Sequence, residues 1–203
     1  MAVTPPTPRP RRLVVGITGA SGVVLGVRAL ERLAEAGVET HLVLTRSAAL
    51  TIGYELGLPP EAVKAKAAVV HPVADIGASI ASGSFPTEGM LVAPCSMRTL
   101  AAVATGNTTN LLTRAADVVL KERRRLVLLV REAPLHLGHL RNMVAVTEMG
   151  AIVMPPVPAF YVMPKSIDEL VQHTVGRVLD LFGVPAAKVK RWEGLKGTPA
   201  APD

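Results

Sequence analysis

The sequence predicts a doubly wound α/β fold, a single domain in three αβα layers with a parallel sheet in the middle. Three observations carry this. Apolar runs rich in Val, Leu and Ile barely alternate, as strands buried on both faces do. They are interleaved with segments of helical period across short loops, which implies parallel pairing through right-handed crossovers. Each apolar run also ends in a polar turn: Gly19-Ala20-Ser21-Gly22, Thr45-Arg46-Ser47, Pro94 to Thr99, Arg131-Glu132, and Pro155-Pro156 running on to Tyr161. In an open α/β sheet the strand C-termini line one edge, and ligands bind in the crevice there. The chemistry of the chain is therefore expected along one edge.

Along the chain, residues 1–10 hold four prolines and no apolar period, and are expected to form a disordered tail. The domain is expected over 11–192, with a flexible tail over 193–203. Leu13 to Thr18 is the first strand. After the glycine turn, Val23 to Ala36 is a helix stopped by Gly37. Thr40 to Leu44 is the second strand, and Ser47 starts a short helix through Glu55. Pro59-Pro60 breaks the chain before a helical stretch at 61–67, and Val69 to Ala81 holds one short strand followed by loop. Gly89 to Ala93 is a central strand, Ser96 caps a helix through Ala104, and Asn110 to Leu120 is another helix. Leu126 to Val130 is a strand, Leu137 to Met149 a helix and Ala151 to Met154 the last strand. The final helix opens on a capping box, Ser166 with Glu169, and its apolar positions recur at helical spacing from Ile167 to Phe182. No internal repeat is visible.

Composition narrows the function. The 203 residues are 49% hydrophobic but only 3% aromatic, so aliphatic side chains must fill the core. A mean hydropathy of +0.37 implies surface buried between subunits. The net charge of +6 lies partly in the chain ends and partly in arginines beside the strand-end turns, which suits an anionic small ligand. No aromatic-interleaved basic patch points to nucleic acid. One cysteine, Cys95, allows no disulfide within the chain. No apolar run reaches membrane-spanning length, so a cytoplasmic protein is expected.

Each polar turn has a structural and a functional reading. Gly16-x-x-Gly19-x-x-Gly22 is not the dinucleotide fingerprint. It is a tight strand-to-helix turn that could also present the N–H groups of Gly19, Ala20 and Ser21 to an anion. Ser96 and Thr99 could cap a helix or join a donor set. Cys95 reads as a small buried hydrophobe rather than a nucleophile. Arg131 in the crevice would hold an anion, and Glu132 or Glu55 could move a proton. Lys121 to Arg125 supplies cations to a helix C-terminus. Arg177, beside an apolar stripe, calls for an anionic partner or snorkels to water. His136 and His139 are expected to cap or pack rather than bind metal.

Taken together, these segments resemble the flavin prenyltransferases, the UbiX family. The carrying residues are Gly-Ile-Thr-Gly-Ala-Ser-Gly at 16–22, Ala-Ser-Gly-Ser-Phe at 81–85 and Pro-Cys-Ser-Met-Arg-Thr-Leu at 94–100. Further along stand Arg-Ala-Ala-Asp-Val-Val-Leu-Lys-Glu-Arg-Arg at 114–124, Arg-Glu-Ala-Pro-Leu-His-Leu at 131–137 and Met-Pro-Pro-Val-Pro-Ala-Phe-Tyr at 154–161. The resemblance implies a Rossmann-like flavoprotein that assembles as a homo-dodecamer with sites between subunits. It implies transfer of a dimethylallyl group from dimethylallyl phosphate to N5 and C6 of reduced FMN without a metal. The product, prenylated FMN, would serve a UbiD-type decarboxylase.

The resemblance also implies roles by position. Gly19, Ala20, Ser21, Thr45, Ser96, Met97, Arg98, Thr99 and Arg131 would hold FMN, with Ser21 near N5. Tyr161 and Arg177 would bind the donor phosphate, helped by Arg114, Lys121 and Arg131 of neighbouring chains. Glu55 and Glu132 would handle protons. Some members carry a Trp where Ile76 stands. The alternatives are an FMN-dependent cysteine decarboxylase, which tends to read Pro-Ala-Ser-Ala-Asn-Thr at the 94–99 turn, and a non-catalytic flavin carrier.

Overall fold

The computed structural model describes residues 10–185, 189–192 and 194. Apart from Pro10 and Gly194, the tails expected at 1–10 and 193–203 lie outside the described residues. Six strands form one sheet: β1 (Arg12–Ile17), β2 (Glu39–Leu44), β3 (Val69–His71), β4 (Gly89–Cys95), β5 (Arg125–Val130) and β6 (Ile152–Val153). The sheet order is β3-β2-β1-β4-β5-β6, and every pairing is parallel. The chain winds outward from β1 to β3, then returns to β4 and winds the other way. The direction reverses between β1 and β4, and their C-terminal ends splay a crevice there.

Helices α1 (Val24–Glu35), α2 (Arg46–Leu56), α3 (Pro60–Lys64), α4 (Met97–Ala104), α5 (Leu111–Lys121), α6 (Leu137–Glu148) and α7 (Ile167–Asp180) cover the sheet. Because side chains alternate across a strand, β1 and β4 feed two cores. Val15, Ile17, Leu91 and Ala93 meet Leu30 of α1 and Val175 and Leu179 of α7 on one face. Val14, Met90 and Val92 meet Leu100, Leu112 and Val146 on the other. All seven residues of β4 are buried, which is why its sequence carries no polar alternation.

Most expected elements stand within a residue or two. Three differences have physical causes. Strand β4 runs on through Pro94 to Cys95, because a register shift against β5 between Val92 and Cys95 removes the need for a donor at the proline. Thr45, not Ser47, caps α2, its Oγ1 accepting from the Ala48 N–H at 3.1 Å. The box at α7 is offset: Ser166 Oγ accepts from Glu169 N at 3.2 Å, but Glu169 Oε2 accepts from Lys165 N at 2.7 Å.

Helix α1 lies so close to β4 that a Cβ on Gly26 would stand 2.3 Å from the Ala93 carbonyl oxygen and 2.9 Å from Ile17. Backbone cannot yield as a side-chain tip can. Gly26→Ala is therefore expected to cost about 3 kcal/mol, at the upper end of overpacking effects, measured as a lower urea midpoint with an unchanged slope.

A polar network crosses β2 and β3. His41, nearly fully buried, has Nε2 2.9 Å from Glu39 Oε1 and Nδ1 2.9 Å from His71 Nε2. If His41 Nε2–H donates to the carboxylate, Nδ1 must accept from His71, so both rings serve while neutral. Burial first, then the neighbouring His41, lowers the His71 pKa below its ordinary 6.5, with Asp75 opposing weakly. Protonation is thus harder in the folded chain than in the unfolded one. The contribution is fully present above 6.5 and declines as pH falls through the depressed folded value. A His71→Gln variant should show a flatter fall in urea midpoint as pH drops below 6.5 than the parent. An identical slope would remove His71 as the cause.

Candidate functional site

The crevice between β1 and β4 is built from their last residues. Thr18, buried just past β1, donates from Oγ1 to the Pro94 carbonyl at 2.7 Å and accepts from Ser96 N at 2.9 Å. One hydroxyl thus locks the two strand ends across the point where the winding reverses. Sequence reasoning did not single out Thr18; its signal was a lone hydroxyl closing an otherwise apolar run. On the other flank, Arg131 N donates to the Cys95 carbonyl at 3.1 Å and fixes the start of the next turn. Burial pushes the Cys95 thiol up to about 12, so it carries no thiolate at neutral pH. It is a core side chain.

The turn at 19–22 packs directly onto α2. A Cβ on Gly19 would lie 2.5 Å from Ser47 Cβ, and Gly22 has φ +93°. The helix that follows has no side-chain cap of its own. Instead Glu55, from the end of α2, accepts from Gly22 N at 2.9 Å and from Val23 N at 3.2 Å. The expectation that a short helix returns Glu55 to this edge holds. Glu55 takes the N–H groups of Gly22 and Val23 and leaves those of Gly19, Ala20 and Ser21, the ones expected to face an anion, outside that contact. Ser21 remains exposed at the turn.

Between the starts of α2 and α4 lies a cleft of ≈ 660 Å³. Its walls include Thr45, Arg46, Ser47, Ser96, Arg98 and Thr99, and no Asp or Glu is among its lining residues. Both helices point their N-termini into it, capped by Thr45 and by Ser96, whose Oγ accepts from Thr99 N at 3.3 Å. Two positive helix ends, several hydroxyls and two guanidinium groups without a facing carboxylate suit a phosphate and an acceptor-rich ring. The volume falls within the range of small-molecule sites, ~300–1,000 Å³. On these grounds the residues present fit FMN. A smaller pocket of ≈ 240 Å³ adjoins the glycine turn, where Ser21 and Arg131 meet the apolar Pro156, Ile167 and Leu170.

Glu132 stands at the same strand-end edge as Arg131, and the remaining candidates lie elsewhere on the protomer. Glu132 is exposed after β5, accepting from Ala133 N at 3.0 Å. Arg114 sits on α5, donating to Asp117 at 2.6 Å and to the Ala81 carbonyl at 3.2 Å. Lys121 ends α5 in an ion pair with Glu122. Because β5 begins at Arg125, that helix end faces the opposite edge of the sheet from the cleft.

Helix α7 shows the same separation. It runs alongside α1 in the same direction, since Arg28 meets Asp168 at 3.0 Å and Arg32 meets Gln172 at 2.9 Å. Its far end meets the start of β1, where Arg11 donates to the Phe182 carbonyl at 3.0 Å. Arg177 therefore lies toward the strand N-termini, half-exposed and paired with Asp180 at 2.8 Å. The Arg191 and then the Arg177 guanidinium hold the Asp180 carboxyl below its usual range. Tyr161 leans on the same helix, its hydroxyl 3.4 Å from His173 Nε2. The expectation of a single edge is thus met for the 19–22, Thr45, 96–99, Arg131, Glu132 and Glu55 group but not for Tyr161, while Arg177 on α7 and Arg114 and Lys121, expected to serve a neighbouring chain's site, stand apart from this cleft. His136 caps α6 through Nδ1, accepting from Gly138 N at 3.0 Å.

The Flavoprotein family model matches residues 3–179. The chain is 57% identical over 185 residues to the flavin prenyltransferase UbiX of Neisseria meningitidis serogroup B, covering 91% of this chain and 98% of the relative. Among solved structures it resembles AnUbiX (PadA1) in complex with FMN and dimethylallyl pyrophosphate. That match has a TM-score of 0.91 and 51% identity, over 92% of this chain and 99% of that one. It also resembles a dodecameric FMN-dependent Ubix-like decarboxylase from Escherichia coli O157:H7. There the TM-score is 0.88 and the identity 50%, over 90% of this chain and 100% of that one.

Proposed function

The chain belongs to the flavin prenyltransferases of the UbiX family, and on that premise we propose that it transfers the dimethylallyl group of dimethylallyl phosphate to N5 and C6 of reduced FMN. The observation that carries the reading is the carboxylate-free cleft at the reversal between β1 and β4, with its two helix N-termini and its hydroxyl and guanidinium walls. Reduced FMN would supply the nucleophilic ring atoms and a π-face for an allylic cation.

The residues divide the work. Thr45, Ser96, Met97, Arg98, Thr99 and Arg131 would hold FMN, with Gly19, Ala20 and Ser21 against the ring. An allyl phosphate is a poor electrophile until its C–O bond loosens, and charge then grows on the departing phosphate. Tyr161 and Arg177, with Arg114, Lys121 and Arg131 of other copies, would take up that charge. Glu132 at the rim and Glu55 at the turn would accept or return protons.

Such a division requires an assembly, because one protomer leaves its cations away from its own cleft. The surface supports it: Phe160 and Ile167, flanking the Tyr161 region, are 74% and 80% exposed, and Tyr54 on α2 is 93% exposed. Apolar side chains exposed to that extent call for cover by partner subunits, and a homo-dodecamer like that of the E. coli relative would supply it. The proposal extends to a metal-independent reaction in the cytoplasm, with prenylated FMN passed to a UbiD-type decarboxylase. Among the described residues no helix is long and apolar enough to cross a membrane.

The test is anaerobic incubation of the purified oligomer with reduced FMN and dimethylallyl phosphate, followed by mass measurement of the flavin. A five-carbon addition is expected. Unaltered bound flavin would mean a carrier instead.

A further inference from the structure

We propose that His173 is a positioning residue for the prenyl donor, acting through Tyr161: it donates to the phenol oxygen so that the phenol proton is left to point at the donor's phosphate. The inference rests on the donor-binding reading of Tyr161 and goes one residue beyond it.

His173 is only 8% exposed on α7, beside Val162 and Met163. A buried imidazole in such company costs stability unless a polar partner takes it up. Its Nε2 stands 3.4 Å from Tyr161 Oη, and the two rings meet edge to face at 5.8 Å and 86°. Trp192 closes the other side of Tyr161, again edge to face, at 5.5 Å and 83°. The phenol is thus clamped between two rings while the residue stays 48% exposed, with a way out to a ligand.

The direction of the hydrogen bond decides its use. If Tyr161 donated to the ring, its only proton would be turned away from an anion. If Nε2–H donates to Tyr161 Oη, that proton points outward and is a stronger donor, because linked hydrogen bonds polarise one another. A separation of 3.4 Å is at the long end of hydrogen bonding, as suits a contact that tightens once an anion takes the phenol's proton. One helical turn on, Arg177 extends the same row, already held by Asp180. Phenol and guanidinium thereby form two donors on one rigid helix face, each held by a neighbour. Other charges near His173 are Lys165, Glu169 and Lys190, which line the ≈ 330 Å³ hollow on its outer side.

The experiment compares steady-state prenylation and FMN titration for the wild type and four variants: His173→Leu, His173→Gln, Tyr161→Phe and the double variant Tyr161→Phe/His173→Leu. H173L should lower kcat/KM for dimethylallyl phosphate about tenfold, the loss of about 1.4 kcal/mol, chiefly through kcat and with FMN affinity unchanged. H173Q, whose amide nitrogen reaches the place of Nε2, should recover most of that loss. The double variant should be no worse than Y161F, because nothing is left for His173 to orient. An unchanged kcat/KM in H173L, no recovery in H173Q, or effects that multiply in the double variant would each overturn the inference, the wild type being active. A wild type that yields no prenylated flavin contradicts the functional reading itself and is thereby told apart.

Discussion

Arg177→Ala is expected to abolish use of the prenyl donor while leaving flavin binding close to wild type. The guanidinium is half-exposed on the outer face of α7, pointing away from the core that Val175, Val178 and Leu179 fill. Its removal empties no cavity, and an exposed ion pair such as that with Asp180 is worth at most ~1 kcal/mol. Asp180 keeps a partner in any case, since Arg191 meets it in two contacts of 3.0 Å. The melting temperature should therefore hardly move. Catalysis should fall steeply, because a cation placed for a departing phosphate acts most where charge is greatest, in the transition state. One such donor is worth about 10²–10³ in kcat. The check is product mass and initial rate beside an FMN titration; near-normal turnover would take Arg177 out of the site.

Glu55 gives the second large effect, and two substitutions separate its two tasks. Its carboxylate is the cap of α1, accepting from Gly22 and Val23. Glu55→Ala leaves both donors without that partner and should cost about 1–2 kcal/mol, as loss of a helix cap does. With the glycine turn loosened against Ser47, FMN affinity should fall too. Glu55→Gln retains a carbonyl oxygen for those donors, so fold and flavin binding should survive. It cannot accept a proton as a carboxylate does, and prenylation should drop about 10²-fold or more. Glutamine at wild-type rate would reduce Glu55 to a cap alone.

Why the fold was legible while half the site was not follows from range. Strand order needs only apolar runs, caps and the rule of parallel crossovers, and those are written locally: β1 and β4 read as Leu-Val-Val and Met-Leu-Val-Ala because both faces are covered. The cap at Ser166 is equally readable. Thr45 and Ser47 are both hydroxyl residues in one turn, and only the backbone decides which sits in the extended cap position. Pro94 inside β4 contradicts the usual rule for central strands, and the register shift that admits it is a property of the pair β4–β5 rather than of either sequence.

The candidate site divides along the same line. Glycine turns and caps sit at strand ends by necessity, so the 19–22 and 96–99 groups fall together without further information. The bridge from Thr18 to Pro94 and Ser96 spans three-quarters of a hundred residues and leaves no local trace. Arg177, Tyr161, Lys121 and Arg114 follow helices and a descending loop to other parts of the protomer. Only the resemblance pointed them at one substrate, and only association of copies would reunite them.

That reunion is open to direct measurement by complementation. Oligomers co-assembled from Glu55→Gln and Arg177→Ala chains, each about 10²-fold or more slower alone, should regain prenylation. If every site draws the two residues from different copies, random mixing leaves both native in roughly a quarter of the sites. Recovered five-carbon addition near that fraction is the expected result. Mixed oligomers that bind FMN yet stay as slow as either variant alone at every ratio would contradict a site shared between subunits.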